Sequence, residues 1–192
     1  HRVKNNLQVI NSLLNLQKFY INDQRMLDIF KDCQNRIYAM AVIHERLYET
    51  NELSALNFSE YIKKLIKQLG DTYQTRFLVK YETDVKVDKL DLDTLIPVGL
   101  LINEIISNSL KYAFEEGSDK ENIIMFKMYR DDKGAFRMII GDNGKGSSVS
   151  IEDPHSTFGM ELIKMLVDQL HGSITRLQQQ GTVYQITLTP LK

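Results

Sequence analysis

The first glycine in this chain is Gly70 and the first proline is Pro97. Glycine and proline are the two residues that cost a helix most. A long N-terminal stretch free of both is therefore permitted to run as helix almost without interruption. Its apolar residues support that. Val3, Leu7, Ile10, Leu14 and Gln17 fall at alternating steps of four and three, and so do Met26, Phe30, Cys33, Ile37, Met40, His44 and Leu47. That spacing draws one stripe down each of two helices. "YINDQ" between them has turn chemistry, with Asn22 or Asp23 as the N-cap of the second helix. Two helices and a short loop make an antiparallel hairpin. A single hairpin leaves its stripe half wet, and two hairpins paired as a four-helix bundle bury it. The alternative is a hairpin packed on the rest of its own chain. The stripes are long and narrow in the coiled-coil manner, which favours a homodimer through residues 1–56.

Charge and composition remove several function classes. The net charge of -1 gives no electrostatic case for nucleic acid. No apolar run reaches the length of a membrane span. Cys33 is the one cysteine, so no internal disulfide forms and a reducing cytoplasm is the default. The chain opens on His1 without a Met or a signal-like segment, and so reads as a fragment of a longer protein whose upstream part is missing.

From about residue 57 the pattern changes. "NFSEYIKKLIKQLG" is an amphipathic helix with Asn57 or Ser59 near its start and Gly70 at its end. "RFLVKYET" alternates like a strand. "DLDTLIPVGLLINEIISNSLKYAF" is a helix in which Pro97 belongs to the first turn. "IIMFKMY" and "AFRMII" flank "DDKG" as a hairpin. "TFGMELIKMLVDQLHG" is a third helix ended by Gly172, with His171 as a partner in its cap. "SITRLQ" and "TVYQITL" flank "QQQG" as a second hairpin. The fold class is α+β. A helical hairpin precedes a two-layer sandwich, residues 57–192, with helices on one face of a mostly antiparallel sheet.

Three stretches carry chemistry. "GDNGKG" follows the apolar run "FRMII". A carboxylate at a strand end, with glycines at alternate positions, lets backbone approach a flat or phosphorylated ligand. Asp142 can accept from an exocyclic amine such as that of adenine, while Gly144 and Gly146 leave room for the ring. A plain turn would use the same residues. "NEIISNSLKYAF" sets Glu104, Asn108 and Lys111 or Tyr112 on one side of a helix, with Asn103 beside them. Ile102, Ile105, Ile106, Leu110 and Ala113 face the sheet. Oxygen ligands from Asn108 and from phosphate suit Mg²⁺, and Glu104 could accept a proton or orient a nucleophile. In "TFGMELIKML", Gly159 opens a helix whose N–H groups and dipole favour phosphate. The polar stretch "KGSSVSIEDPHST" before it is long enough for a lid.

Together "NEIISNSLKYAF", "GDNGKG", "TFGMELI" and "GTVYQITL" resemble the N, G1 and G2 boxes of the GHKL ATP-binding fold. "HRVKNNLQVINSLLNLQ" resembles the phosphoacceptor box of sensor histidine kinases of the HRxKN type, relatives of the HWE group. The resemblance covers nearly the whole chain, in the family's order. It implies that His1 is the phosphoacceptor attacking the γ-phosphate of ATP, followed by Arg2 as in the HRxKN type. It implies that Asn108 holds Mg²⁺ and that Glu104 is the N-box carboxylate, preceded by the polar Asn103. Lys111 and Tyr112 match positions near the phosphates and base. Asp142 matches the adenine reader, with Gly144 and Gly146 beside the ring. Gly159 matches the far end of the lid, and the hydroxyl of Thr182 supports the adenine contact. ATP and Mg²⁺ are the implied cofactors. The implied partners are a second copy of the chain and the receiver domain of a response regulator, whose Asp takes the phosphate from His1. The alternatives are a nucleotide-binding module or degenerate kinase that scaffolds a dimer without kinase output, and a serine kinase of the same superfamily. His44, His155 and His171 weigh less as acceptors, and no His/Cys cluster suggests zinc.

Overall fold

The structure is a computed structural model that describes residues 2–18, 21–49, 58–73, 78–88, 90–115, 120–147 and 157–189. By its internal contacts the chain divides into two compact units, His1–Leu56 and Asn57–Lys192. His1, His155 and most of the expected lid, residues 148–156, lie outside the described residues.

The first unit is a pair of helices, α1 (Arg2–Lys18) and α2 (Gln24–Glu49), packed on each other. α2 begins just after Asp23, whose carbonyl accepts from the Leu27 N–H at 3.1 Å. Gln34 Nε2 donates across the pair to Asn15 Oδ1 at 2.7 Å. The burial pattern is broader than one stripe per helix. Leu7, Leu14, Phe30, Cys33 and Ile37 are half-buried, while Ile10 and Met26 are exposed and Gln17 is on the surface. Among the described side chains of α2, Asn35 and Ala39 are buried, and the expected stripe omits both. A second apolar row, Val9, Leu13 and Leu16 on α1 with Ile29 on α2, faces outward in the single chain. The side chains of Val3, Met40, His44 and Leu47 are not among those described.

The second unit runs α3 (Phe58–Tyr73), β1 (Val79–Val85), α4 (Leu92–Tyr112), β2 (Asn122–Arg130), β3 (Phe136–Asp142), α5 (Phe158–Gln169), β4 (Ser173–Arg176) and β5 (Val183–Leu188). The strands form one sheet in the order β1-β2-β3-β5-β4. β2–β3 and β4–β5 are antiparallel hairpins and β3–β5 is antiparallel, whereas β1 lies parallel to β2. A parallel neighbour requires a crossover, and α4 supplies it. Residues at alternate positions point to one face: Ile124, Phe126 and Met128 on β2, Phe136, Met138 and Ile140 on β3, and Tyr184, Ile186 and Leu188 on β5 are all buried. α4 packs on β3 and is flanked by α3 and α5. The two-layer α+β fold expected from the sequence is the one observed.

Three details differ from the sequence reading. α3 runs through Gly70 to Tyr73 instead of ending there. A Cβ at Gly70 would overlap the Tyr81 hydroxyl, so the glycine serves close packing rather than termination. α4 starts at Leu92 behind an Asp91 N-cap, whose Oδ1 accepts from Thr94 N–H at 2.8 Å. That places Pro97 in the second turn, where the bond it cannot donate would have gone to the carbonyl of Asp93, an exposed residue open to water. α5 ends at Gln169, and His171 takes the left-handed position (φ 48°) while Gly172 N–H bonds Val167 O at 2.9 Å. Gly172 is required by proximity, since a Cβ there would sit 2.6 Å from Thr187 O.

Candidate nucleotide site

β3 alternates Phe136, Met138, Ile140, Asp142 toward the helices, so its last inward position is a carboxylate opposite Ile124. Asp142 is 1% exposed. A carboxylate buried without partners is costly, and this one is supplied with donors from three elements. Oδ2 accepts from Ser109 Oγ of α4 at 2.6 Å. Oδ1 accepts from Gly144 N–H at 3.0 Å and from Thr182 N–H at 3.2 Å. The Asp142 N–H returns a bond to Thr182 O at 3.1 Å. Thr182 therefore reaches the carboxylate through its backbone.

The loop after Asp142 is held tightly. Asn143 bridges to the start of β2, accepting from Ile123 N–H at 2.7 Å and donating to Glu121 O at 2.8 Å. Lys145 N–H donates to Ala113 O at the end of α4, at 2.9 Å. A Cβ on Gly144 would overlap that same carbonyl, and Gly146 has φ 82°, a conformation glycine adopts freely. Arg176, at the end of β4, donates through Nη1 to Ser147 O and through Nη2 to Gly181 O at 3.4 Å. It ties the outgoing loop to the "QQQG" turn.

A second cluster forms where α5 meets α4. The Cβ position of Gly159 is 3.3 Å from Glu104 Oε2 and 3.8 Å from Asn108 Nδ2. Glu104 is buried, and Asn103 Nδ2 donates to its Oε1 at 3.3 Å. Asn103 Oδ1 is buried with no partner. Gly159 lies in the first turn of α5, behind Thr157, whose side chain makes no capping bond. That leaves the helix end with donor capacity for an anion.

Of the residues singled out in the sequence, Asp142, Gly144 and Thr182 meet in one cluster, and Asn103, Glu104, Asn108 and Gly159 in the other. Gly146 follows the first. Lys111 faces α3. Its Nζ lies over the Tyr73 ring of α3, 5.4 Å from the centroid. Tyr112 is exposed. Ser109 and Arg176 were not anticipated. Ser109 falls on the sheet-facing stripe between Ile105 and Ala113, and a hydroxyl there needs an acceptor. Arg176 had no sequence signal beyond its place beside a turn. Among the described residues no group of three or more His, Cys, Asp or Glu could hold a metal ion, and no helix is long and apolar enough to cross a membrane.

The sheet covered on one face by three helices has the fold of a solved histidine kinase domain. The histidine kinase domain of the Erythrobacter litoralis EL346 blue-light activated histidine kinase superposes with a TM-score of 0.72 at 16% identity, over 97% of this chain and 88% of that one. The family model described as histidine kinase matches residues 1–73. The chain is similar to histidine kinases over that stretch. It is 22% identical over 176 residues to the sensor histidine kinase PdtaS of Mycolicibacterium smegmatis, covering 91% of this chain and 35% of that protein. It is 20% identical over 187 residues to blue-light-activated histidine kinase 2 of Erythrobacter litoralis, covering 95% and 52%. The chain thus spans roughly a third to a half of the length of these relatives.

Proposed function

We propose that this chain is the kinase core of a cytoplasmic two-component sensor: it binds ATP with Mg²⁺, transfers the γ-phosphoryl group to His1, and passes it to an Asp of a response-regulator receiver domain. Residues 1–56 serve dimerisation and phosphotransfer, and residues 57–192 bind the nucleotide. The observation that carries this reading is the Asp142 carboxylate. It is buried at the head of a glycine loop, and as an acceptor it suits an exocyclic amine of a purine. Gly144 lets the loop close on the Ala113 carbonyl and Gly146 supplies its left-handed turn, which hold the loop beside that carboxylate.

The second cluster fits the phosphate end. The first turn of α5 offers N–H groups and a favourable dipole to an anion. Asn108 is the residue that would hold Mg²⁺. Its amide oxygen, phosphate oxygens and water form the hard donor set that the ion takes, and the unpartnered Oδ1 of Asn103 can accept from a bound water. The ion supplies charge neutralisation at the phosphates. Glu104, oriented by Asn103, is a carboxylate able to accept the proton of the attacking group. In-line transfer breaks the bond between the γ-phosphorus and its bridging oxygen and forms a phosphorus–nitrogen bond on the imidazole.

The test is incubation with γ-labelled ATP and Mg²⁺. Label should enter the protein in an acid-labile, base-stable form, and His1→Ala should abolish it. Asp142→Asn should abolish binding seen by calorimetry while the fold persists. Label that survives His1→Ala would remove His1 as acceptor. ATP hydrolysis without phosphoprotein would favour the scaffold reading.

A further inference from the structure

The unanticipated partner of Asp142 has a consequence for what the pocket selects, one that rests on the nucleotide reading above. A carboxylate offers about four acceptor positions, two on each oxygen. Oδ1 of Asp142 is occupied twice, by Gly144 N–H and Thr182 N–H. Oδ2 is occupied once, by Ser109 Oγ at 2.6 Å. The serine has a single proton. It also approaches Ile105 O at 3.2 Å, but the shorter, charge-assisted contact is the stronger one and takes the proton. Ser109 is itself buried, at 4% exposure, so water does not readily replace it.

We infer that Ser109 is a specificity-determining residue: by filling one side of Oδ2 it leaves Asp142 a single acceptor position, and so makes the site read one exocyclic N–H of a six-amino purine. The backbone donors fix one oxygen and the hydroxyl pins the other, which holds the carboxylate plane in one rotation about its χ2 bond. A terminal sp³–sp² torsion of this kind is otherwise broad. A base presenting a carbonyl at the same place would set oxygen against the carboxylate oxygen. A base presenting only C–H there would leave the last acceptor position buried and unfilled. Without the hydroxyl, Oδ2 has two open positions, the carboxylate turns more freely, and a water can occupy the vacated side. Discrimination for the amine then falls even though the carboxylate is still present.

The experiment is a cycle between the protein hydroxyl and the ligand amine. Binding of ATP and of purine riboside triphosphate, which lacks the six-amino group, is measured by calorimetry for the wild-type chain, Ser109→Ala and Ser109→Cys. The cysteine variant keeps the volume and replaces a strong donor with a weak one. Wild type should prefer ATP. Both variants should lose about tenfold in ATP affinity, as expected for removing a hydrogen bond to a charged group, with little change for the analogue, so that the preference collapses. An equal loss for both ligands would mean that Ser109 merely supports the pocket and would overturn the inference, as would unchanged discrimination. If wild type bound ATP and the analogue equally, the amine reading by Asp142 would itself fail. If wild type bound neither, the nucleotide site would fail, and thermal unfolding of the variants separates these results from misfolding.

Discussion

Tyr61 brings a hydroxyl into the buried face of α3, where the Oη atom has no hydrogen-bond partner. Burial alone pushes its ionisation far above the ordinary phenol range, because the charged form has nothing to solvate it. The neutral hydroxyl is also under-served, since leaving a buried donor unpaired costs about 1–3 kcal/mol. Tyr61→Phe keeps the ring and its contact with Phe58, whose centroid is 6.3 Å away. The substitution should therefore raise the thermal midpoint, and a lowered midpoint would reveal a bound water that the hydroxyl serves. Ser109 is the opposite case, a buried hydroxyl with a charged acceptor. Both residues sit on apolar helix faces, and the sequence distinguishes neither from the other. What separates them is the register of β3, which brings Asp142 under α4 and brings nothing polar to Tyr61. Asp142 itself was legible, because the alternation of "FRMII" fixes which way the next carboxylate points. Lys111 was not. Spacing along α4 could not disclose the Tyr73 ring of α3, over which its ammonium lies in a cation–π contact.

At the scale of elements, the sequence marked where helices and strands occur more reliably than where they stop. Gly70 reads as a C-terminal signal because glycine favours left-handed ends, yet α3 passes through it. The reason is a tertiary contact with Tyr81 on β1, which spacing within α3 could not disclose. This has a measurable consequence. In an isolated helix Gly→Ala gains about 1 kcal/mol, but here a Cβ would overlap the Tyr81 hydroxyl, with the ring carbon Cζ at 3.1 Å. Gly70→Ala should therefore destabilise in the wild-type background. Paired with Tyr81→Phe it should recover stability, because only the tighter contact is removed. Additive effects in denaturant unfolding would show that the clash is relieved elsewhere. The β2–β3 hairpin supplies a pH-dependent element. Arg137 Nε donates to Asp131 Oδ2 at 2.8 Å, and Oδ1 accepts from Lys133 and Ala135 N–H groups. The Arg137 hydrogen bond holds the Asp131 carboxyl below its ordinary value, aided by those N–H groups. A carboxylate with a lowered pKa in the folded state adds stability that is complete above its unfolded value of about 3.9 and disappears as the pH falls through the folded value. Wild type and Asp131→Asn should differ in thermal midpoint at pH 7, and the gap should narrow only once the pH falls below about 3.9. A gap independent of pH would assign the difference to turn geometry alone.

For the whole molecule, the outward apolar row of the hairpin decides the quaternary prediction. Val9, Leu13 and Leu16 are each more than half exposed in the single chain, at 58%, 56% and 58%. They recur at steps of four and three along α1, beside the exposed Ile10 and, on α2, Met26 and Ile29. Scattered apolar residues on a surface need no explanation, but a contiguous row at helical spacing does. Symmetric pairing of two hairpins covers the row with a copy of itself, so each side chain is buried twice in the dimer. Burying one leucine contributes about 1.5–3 kcal/mol, and a lysine at the same place would forfeit that twice over and add the cost of confining an ammonium. Leu13→Lys should thus weaken self-association by about a thousandfold or more, since every 1.4 kcal/mol is about tenfold. Sedimentation at a loading where wild type is dimeric should find the variant monomeric, with its helical content and ATP binding intact. Met165 on α5 is equally exposed, at 60%, yet lies in the second unit. Met165→Lys is therefore the matched control and should leave the dimer unchanged. A Leu13→Lys chain as dimeric as wild type would move the interface off this face, and a wild type that is monomeric throughout would remove the homodimer. Loss of dimer in the Met165 variant instead would transfer the interface to the second unit.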